Sequence, residues 1–276
     1  RSAPSPGAPV TDAARDRLIN PLGAFDSAAT LVLLALAAVP LWAGPFVLRF
    51  WRNRIHPETR HDAWRRYRGW TVVVPAMAVP VLLGAAWVIV GAAVLSELCF
   101  RDYAGATGLF REKLICCLVL LGIGVVQFAA LDNYYRLFVA AFPLAIACVA
   151  GFAAAQDRPK GYLQRTALGV VAFALFGSCL GHLSYMANDA DYRPKVALVL
   201  VTVGFWDVAR YVSGKLLGGP LVAPNTTPDR NVYGSVVGAA VVVLVVFSVG
   251  WLAFDGTPLA APVPLVVLGL LLALAA

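Results

Sequence analysis

The chain has 276 residues, of which 60% are hydrophobic and 13% are charged. Soluble domains have an apolar share of about 45–50% with glycine included, so this composition excludes a soluble globular protein. The formal net charge of +7 suits a membrane protein that contacts anionic lipids or anionic substrates. No nucleic acid partner is expected, because the chain has no separate basic domain to bind one.

The N-terminal part of the sequence combines a polar, an apolar and a basic segment. Residues 1–26 hold Ser, Pro, Ala and mixed charge, and they predict a polar N-terminal arm. Residues 27–70 predict the first membrane span, over 27–48, followed by a basic interfacial loop with seven arginines among tryptophans. Anchoring of the membrane topology is the favoured role of these arginines, and recruitment of an acidic lipid is the alternative.

Apolar runs of about 20 residues recur through the rest of the chain, which is the length that a membrane-spanning helix needs. The runs lie at 71–95, 114–131, 137–155, 166–187, 196–217, 235–254 and 259–276. The predicted fold is therefore all-α, a polytopic transmembrane helical protein with about eight membrane spans. Residues 71–276 are predicted to form one membrane domain.

Charge appears at an unusual place in the run that begins near residue 196. On a helix, Asp207, Tyr211, Gly214 and Gly218 lie on one face, so a ligand or another backbone could approach the carboxylate closely. Pairing with Arg210, which lies about 60° away around the helix, is the structural alternative. An uncompensated charge inside a membrane helix costs at least about 2.5 kcal/mol, which favours a functional role for Asp207.

The segment that follows, 218–231, is rich in Gly and Pro and carries hydroxyls at Thr226 and Thr227. Lys215 and Arg230 flank it. Backbone N–H groups, hydroxyls and cations together are typical of a phosphate site. An ordinary turn between two helices fits the composition equally well.

These residues form a pattern that resembles the core of the phosphatidate cytidylyltransferase (CDP-diacylglycerol synthase) family. The pattern reads Asp207-x-Ala209-x-Tyr211-x-x-Gly214-Lys215-x-x-Gly218, then Leu221-x-Ala223-Pro224, then Thr227-Pro228-x-Arg230-x-x-x-Gly234-x-x-x-Gly238. This sequence departs from the family at five positions. They are Trp206 for Asn, Thr227 for Ser, Arg230 for Lys, Asn231 for Thr and Tyr233 for Glu.

The family's C-terminal signature, with a Pro-Gly-His-Gly-Gly run and further acids, does not occur in this sequence. The sequence stops at Ala276 within an apolar run, and Arg1 is not an initiator residue. We therefore expect a chain cut at both ends, with the domain at 71–276 truncated at its C-terminus. One carboxylate is usually too few for two metal ions. Activity is therefore expected to depend on the missing acids.

The resemblance implies an enzyme of phospholipid biosynthesis, a nucleotidyltransferase that converts CTP and phosphatidate to CDP-diacylglycerol and diphosphate. It implies Asp207 as the catalytic carboxylate and Mg²⁺ ligand, with Arg230 as a catalytic cation. Substrate-binding roles fall to Lys215, Thr227, Asn231, Tyr211 and Gly214. The expected partners are CTP, phosphatidate, other anionic lipids and the membrane, and a homodimer is left open. The expected location is a bacterial inner (cytoplasmic) membrane.

Three alternatives stay open at this point. A non-catalytic or degenerate membrane homologue would explain the departures from the family pattern. A related enzyme, similar to a CTP-dependent polyprenol kinase, would use a different acceptor. A transporter is less favoured, because the sequence shows no inverted repeat and no pair of broken helices in matching halves.

Overall fold

The computed structural model describes residues 18–25, 27–50, 57–225 and 227–275. Most of these residues are helical. Nine helices in the described residues are labelled here in chain order. They are α1 (Ala28–Phe50), α2 (Pro57–Leu83), α3 (Ala85–Thr107), α4 (Lys113–Leu131), α5 (Tyr135–Ala155), α6 (Tyr162–Met186), α7 (Tyr192–Leu217), α8 (Val232–Ala253) and α9 (Pro262–Ala275). Helix α6 contains a π-helical segment, Phe173–Cys179.

Six of the described helices are long and apolar enough to cross a membrane: α1, α4, α5, α6, α7 and α8. Helix α9 is apolar but shorter. The predicted all-α polytopic membrane fold is thus confirmed. The number of about eight spans stays a prediction.

The predicted span at 71–95 is wrong in its bounds, because two helices meet inside it. Helix α2 ends at Leu83 and α3 begins at Ala85. Gly84 between them has φ of 139°, and a Cβ there would lie 2.6 Å from the carbonyl oxygen of Leu18. A single glycine therefore ends the first helix, since other residues rarely adopt this φ and would not fit here. The apolar pattern runs through the break and cannot reveal it.

The chain divides into two compact units. The first contains the described residues up to Pro21 and those of Pro80–Tyr192, and the second contains the described residues of Leu22–Val79 and Arg193–Ala276. The predicted division of the chain at residues 26 and 70 stays a prediction.

The core of the first unit is built from α3, α4, α5 and α6. Phe100, Ile115, Ile123 and Phe173 are among its fully buried side chains. A Cβ at Gly122 on α4 would lie 2.7 Å from the ring of Phe173, so this glycine makes room for the aromatic side chain. Large apolar side chains fill this core.

The second unit has two smaller apolar clusters. Leu33 on α1 packs with Leu198 and Val201 on α7. Val246 on α8 packs with Leu265 on α9. These contacts hold α1 against α7, and α9 against α8.

A short antiparallel hairpin joins α7 to α8. Its strands are β1 (Leu221–Ala223) and β2 (Thr227–Asn231). Leu221 lies opposite Asn231 and Ala223 lies opposite Thr227, and the register is irregular between these two pairs. The segment predicted as a phosphate loop or an interhelical turn is thus a paired hairpin. Gly218 and Gly219, with φ of 62° and 107°, turn the chain from α7 into β1.

Candidate functional site

Asp207 lies on α7 and accepts hydrogen bonds from three side chains. Nη1 of Arg66 lies 3.2 Å from Oδ1 and 3.3 Å from Oδ2. The indole Nε1 of Trp70 donates to Oδ2 at 3.2 Å. Nη2 of Arg210, one turn along α7, donates to Oδ1 at 3.1 Å. These four residues, together with Tyr211, are called the Asp207 cluster below.

Two members of the cluster come from α2, and sequence reasoning did not find them. Arg66 and Trp70 are four residues apart, so both project from one face of α2. The Arg66 guanidinium also stacks over the ring of Tyr211, 4.5 Å from its centroid. The four-residue spacing of arginine and tryptophan was the signal available in the sequence. Arg60 and Trp64 have the same spacing in the same segment, so the spacing alone does not single out Arg66.

The cluster has more positive than negative charge. Two guanidinium groups face one carboxylate, and the side chain of Arg210 is 12% exposed whereas that of Arg66 is 40% exposed. Nε of Arg210 is buried and has no hydrogen-bond partner among the described residues. A buried arginine N–H normally has an acceptor, so Nε of Arg210 is an unsatisfied donor within the cluster.

A cavity of about 250 Å³ lies between α1, α2 and α7, next to the cluster. Its wall is mostly apolar and includes Leu41 on α1, Val74 on α2 and Leu200 on α7. Arg66, Trp70, Asp207 and Tyr211 also line it. The cavity thus joins an apolar interior to a cationic and aromatic edge.

Of the two glycines on the predicted face, Gly214 packs against another helix, whereas Gly218 lies beyond the end of α7 with no atom within 4 Å of an added Cβ. A Cβ at Gly234 on α8 would lie 2.8 Å from the carbonyl oxygen of Arg210 and 3.1 Å from Cα of Gly214. A Cβ at Gly238 would lie 3.0 Å from the ring of Trp206. Of the two uses considered for this face, approach of another backbone is the one observed. Gly214 is part of this contact, and its role in substrate binding stays a prediction.

Asn231 caps the N-terminus of α8. Its Oδ1 accepts a hydrogen bond from the backbone N–H of Gly234 at 2.9 Å. Its Nδ2 donates to the carbonyl oxygen of Gly214 at 2.7 Å. Both ends of the amide are therefore engaged in joining the hairpin to the two helices. Asn is a preferred residue at this position of a helix. The substrate-binding role of Asn231 stays a prediction.

The remaining predicted residues lie at or near the hairpin. Lys215 is exposed in the last turn of α7, where a cation is favourable at the helix C-terminus. Arg230 is exposed on β2. Thr227 begins β2, but its side chain lies outside the described part of the structure, as does the whole of Thr226. The catalytic role of Arg230 and the binding roles of Lys215 and Thr227 stay predictions.

The Asp207 cluster does not fit a magnesium ion in this arrangement. Mg²⁺ requires several oxygen ligands in octahedral geometry. The carboxylate of Asp207 already accepts three N–H donors, two of them from cations. Within the described residues there is no group of three or more His, Cys, Asp or Glu side chains that could hold a metal ion. The Mg²⁺ prediction therefore has no support from this site.

Comparison with known proteins supplies the family. The sequence model described as the cytidylyltransferase family matches residues 64–276. The chain belongs to the cytidylyltransferase family. The matched region begins just before Arg66 and Trp70, so it contains the whole Asp207 cluster as well as the hairpin. No curated protein and no solved structure matches the chain.

Family membership confirms the resemblance carried by residues 207–238. Together with the six apolar helices, it identifies a membrane protein of the nucleotidyltransferase class that takes a nucleotide substrate.

Proposed function

We propose that this cytidylyltransferase-family protein transfers the cytidylyl group of CTP to phosphatidate, in the membrane. A phosphate oxygen of phosphatidate attacks the α-phosphorus of CTP and forms a new P–O bond. The bond between the α-phosphorus and the bridging oxygen breaks, and diphosphate leaves. CDP-diacylglycerol remains in the bilayer. The observation that carries the proposal is the family match over 64–276, which includes the charged cluster.

Reactions of this kind depend on positioning and charge neutralisation more than on a covalent nucleophile. The cluster is suited to both tasks, because Asp207 holds the guanidinium groups of Arg66 and Arg210 on one carboxylate. Paired guanidiniums bind phosphate oxygens through several N–H groups at once. Asp207 is thereby a positioning residue for two phosphate-binding arginines. Lys215 and Arg230 would neutralise further phosphate charge from the helix end and the hairpin.

Magnesium stays part of the proposal as the expected cofactor. It would neutralise the charge of the triphosphate. The steps assigned above to Asp207, Arg66 and Arg210 do not require it.

A second candidate is a non-catalytic member of the family. The engagement of Asp207 by two arginines and an indole favours it, because a carboxylate held in this way is not open to a metal ion. The departures at Trp206 and Tyr233 agree with this candidate. The two candidates differ in whether any product forms.

Incorporation of label from CTP into lipid by the purified full-length protein tests the proposal. CTP labelled on the α-phosphate follows cytidylyl transfer, and CTP labelled on the γ-phosphate, used in parallel, follows the phosphoryl transfer of a kinase. Phosphatidate and a polyprenol such as dolichol are offered as acceptors in separate reactions containing Mg²⁺. We expect labelled CDP-diacylglycerol from phosphatidate and no labelled product from the polyprenol. Absence of product with both acceptors would favour the non-catalytic candidate, and product with the polyprenol would assign a different acceptor.

A further inference from the structure

We propose that the cavity between α1, α2 and α7 binds the phosphate end and the adjoining acyl segment of an anionic glycerophospholipid, with Arg66 as the phosphate ligand. The proposed function supplies the choice of phosphatidate as the lipid. The cavity and its charged edge supply the class of ligand, which is a phosphate carried on an apolar chain.

The wall of the cavity selects an apolar occupant. Helices α1 and α7 both contain stretches long and apolar enough to cross a membrane, so the cavity lies among hydrocarbon-facing elements. Its volume of about 250 Å³ exceeds the roughly 150 Å³ of an apolar cavity that holds a benzene molecule. One segment of an acyl chain fits such a space, whereas a complete lipid with two chains does not. The rest of the lipid would lie outside it.

The edge of the cavity selects a negatively charged group. Asp207 neutralises one of the two guanidinium groups that contact it, so one positive charge is left within the cluster. Arg66 is the more exposed of the two arginines, at 40%, and it lines the cavity. Trp70 and Tyr211, which also line it, are the aromatic types enriched at the depth of lipid headgroups.

The guanidinium of Arg66 can bind either the carboxylate of Asp207 or a lipid phosphate. Its Nη1 is the nitrogen that contacts Asp207, which leaves the other N–H groups of the guanidinium available to a phosphate. A phosphate monoester carries more negative charge than the carboxylate, so it competes for Arg66. Bound lipid would weaken the Arg66–Asp207 contact, while Trp70 and Arg210 keep their bonds to Asp207.

Photolabelling of the full-length protein tests the site directly. The protein is placed in phosphatidylcholine vesicles that contain phosphatidate with a diazirine in one acyl chain, and adducts are mapped by mass spectrometry. We expect adducts on α1 around Leu41 and on α7 around Leu200. Unlabelled phosphatidate should compete, whereas inorganic phosphate and diacylglycerol should not, because each supplies half of the ligand. Adducts confined to other helices, or competition by inorganic phosphate alone, would overturn the proposal.

Matched variants separate a specific site from general attraction to a basic surface. Arg66→Ala removes the proposed ligand, and we expect labelling to require at least about tenfold more lipid. Arg65→Ala removes the same charge from an exposed neighbour that does not line the cavity, and it should leave labelling unchanged. Arg66→Lys should restore part of the affinity. Equal losses in Arg66→Ala and Arg65→Ala would mean that the surface, and not the cavity, attracts the lipid.

A second pair of variants tests the apolar part. A Cβ at Gly204 would lie 3.6 Å from the ring of Trp70, so Gly204→Ala fits and serves as the control. Gly204→Leu places a larger side chain in the cavity, and we expect it to remove the adducts near Leu200. Equal labelling of the two variants would show that the acyl chain lies elsewhere. This pair keeps the proposal testable if Arg66→Ala fails to fold.

Failure of the cavity proposal can be told apart from failure of the proposed function. If labelling follows the expectations but no labelled CTP enters lipid, the cavity stands and the reaction is wrong. If CDP-diacylglycerol forms and the KM for phosphatidate is the same in the wild type, Arg66→Ala and Gly204→Leu, the reaction stands and the cavity is wrong. Labelling of residues outside α1 and α7, or of a second copy of the chain, would also overturn the cavity proposal.

Discussion

Two regions of helix α7 that the family pattern joins into one motif have different surroundings. Toward α8, Gly214 and the backbone of Arg210 face Gly234 at contact distances that leave no room for a side chain. Toward α2 and the cavity, Asp207 and Tyr211 meet Arg66. The first region, called the packed region below, holds α7 and α8 together. The second, called the charged region, carries charge beside the open cavity. A shared sequence motif thus contains residues that build the scaffold and residues that are placed for chemistry.

The largest expected effect lies in the charged region. Asp207→Asn keeps the size of the side chain but removes the charge that holds Arg66 and Arg210, so CTP incorporation should fall about 100-fold or more. The assay measures transfer of the labelled cytidylyl group from CTP to phosphatidate by the full-length protein. Asp102→Asn is the control, because Asp102 pairs with Arg101 on an exposed surface and should leave activity unchanged. Full activity of Asp207→Asn would remove Asp207 from the mechanism.

The next effect lies in the packed region and concerns stability. Gly234→Ala places a methyl group 2.8 Å from the carbonyl oxygen of Arg210, and we expect a loss of about 1–3 kcal/mol in the free energy of unfolding. Thermal or denaturant unfolding of the purified protein in detergent measures it. Gly124→Ala on α4, where no atom lies within 4 Å of the new methyl group, is the matched control and should not destabilise. Equal stability of the two variants would mean that α7 and α8 are not in close contact.

A smaller effect is expected at the helix cap that joins the hairpin to α8. Asn231→Ala removes the bonds to Gly234 and Gly214 and should cost about 0.5–2 kcal/mol of stability. Asn231→Asp keeps the acceptor for the Gly234 N–H, so it should recover part of this loss. If cytidylyl transfer to phosphatidate falls strongly in Asn231→Asp while stability is retained, Asn231 contacts substrate as the family resemblance implies. Asn231 would then belong with Asp207 among the residues that act on substrate.

The smallest effect is expected for Trp70→Phe. This change removes the indole N–H that donates to Asp207 but keeps an aromatic ring beside the cavity. We expect a loss of about 0.5–1.5 kcal/mol in stability, the usual worth of one hydrogen bond, and little change in the KM for CTP. A loss of activity as large as that of Asp207→Asn would show that Trp70 does more than orient the carboxylate.

The fold was predictable from the sequence where long apolar runs dominate. Helices α4, α5 and α8 closely match the predicted runs at 114–131, 137–155 and 235–254. The break at Gly84 was not predictable, because it depends on a contact with Leu18 that is distant in sequence. The β-hairpin was missed for a different reason, because strands of three and five residues are too short to give a recognisable pattern.

The candidate site was predictable only in its α7 half. Asp207 and Arg210 could be paired from their spacing on one helix, and the structure shows that ion pair at 3.1 Å. Arg66 lies 141 residues from Asp207 in sequence, among other arginines of similar composition, so no local pattern selects it. Only tertiary packing of α2 against α7 distinguishes Arg66 from Arg65 and Arg68.

The most direct test of the account is the KM for each substrate in the wild type and in Arg66→Ala, measured with labelled CTP and phosphatidate in mixed micelles. The account predicts that the wild type forms CDP-diacylglycerol, and that Arg66→Ala raises the KM for phosphatidate by about tenfold or more with the KM for CTP nearly unchanged. A wild-type protein that forms no CDP-diacylglycerol, or an Arg66→Ala protein with both constants unchanged, would contradict it.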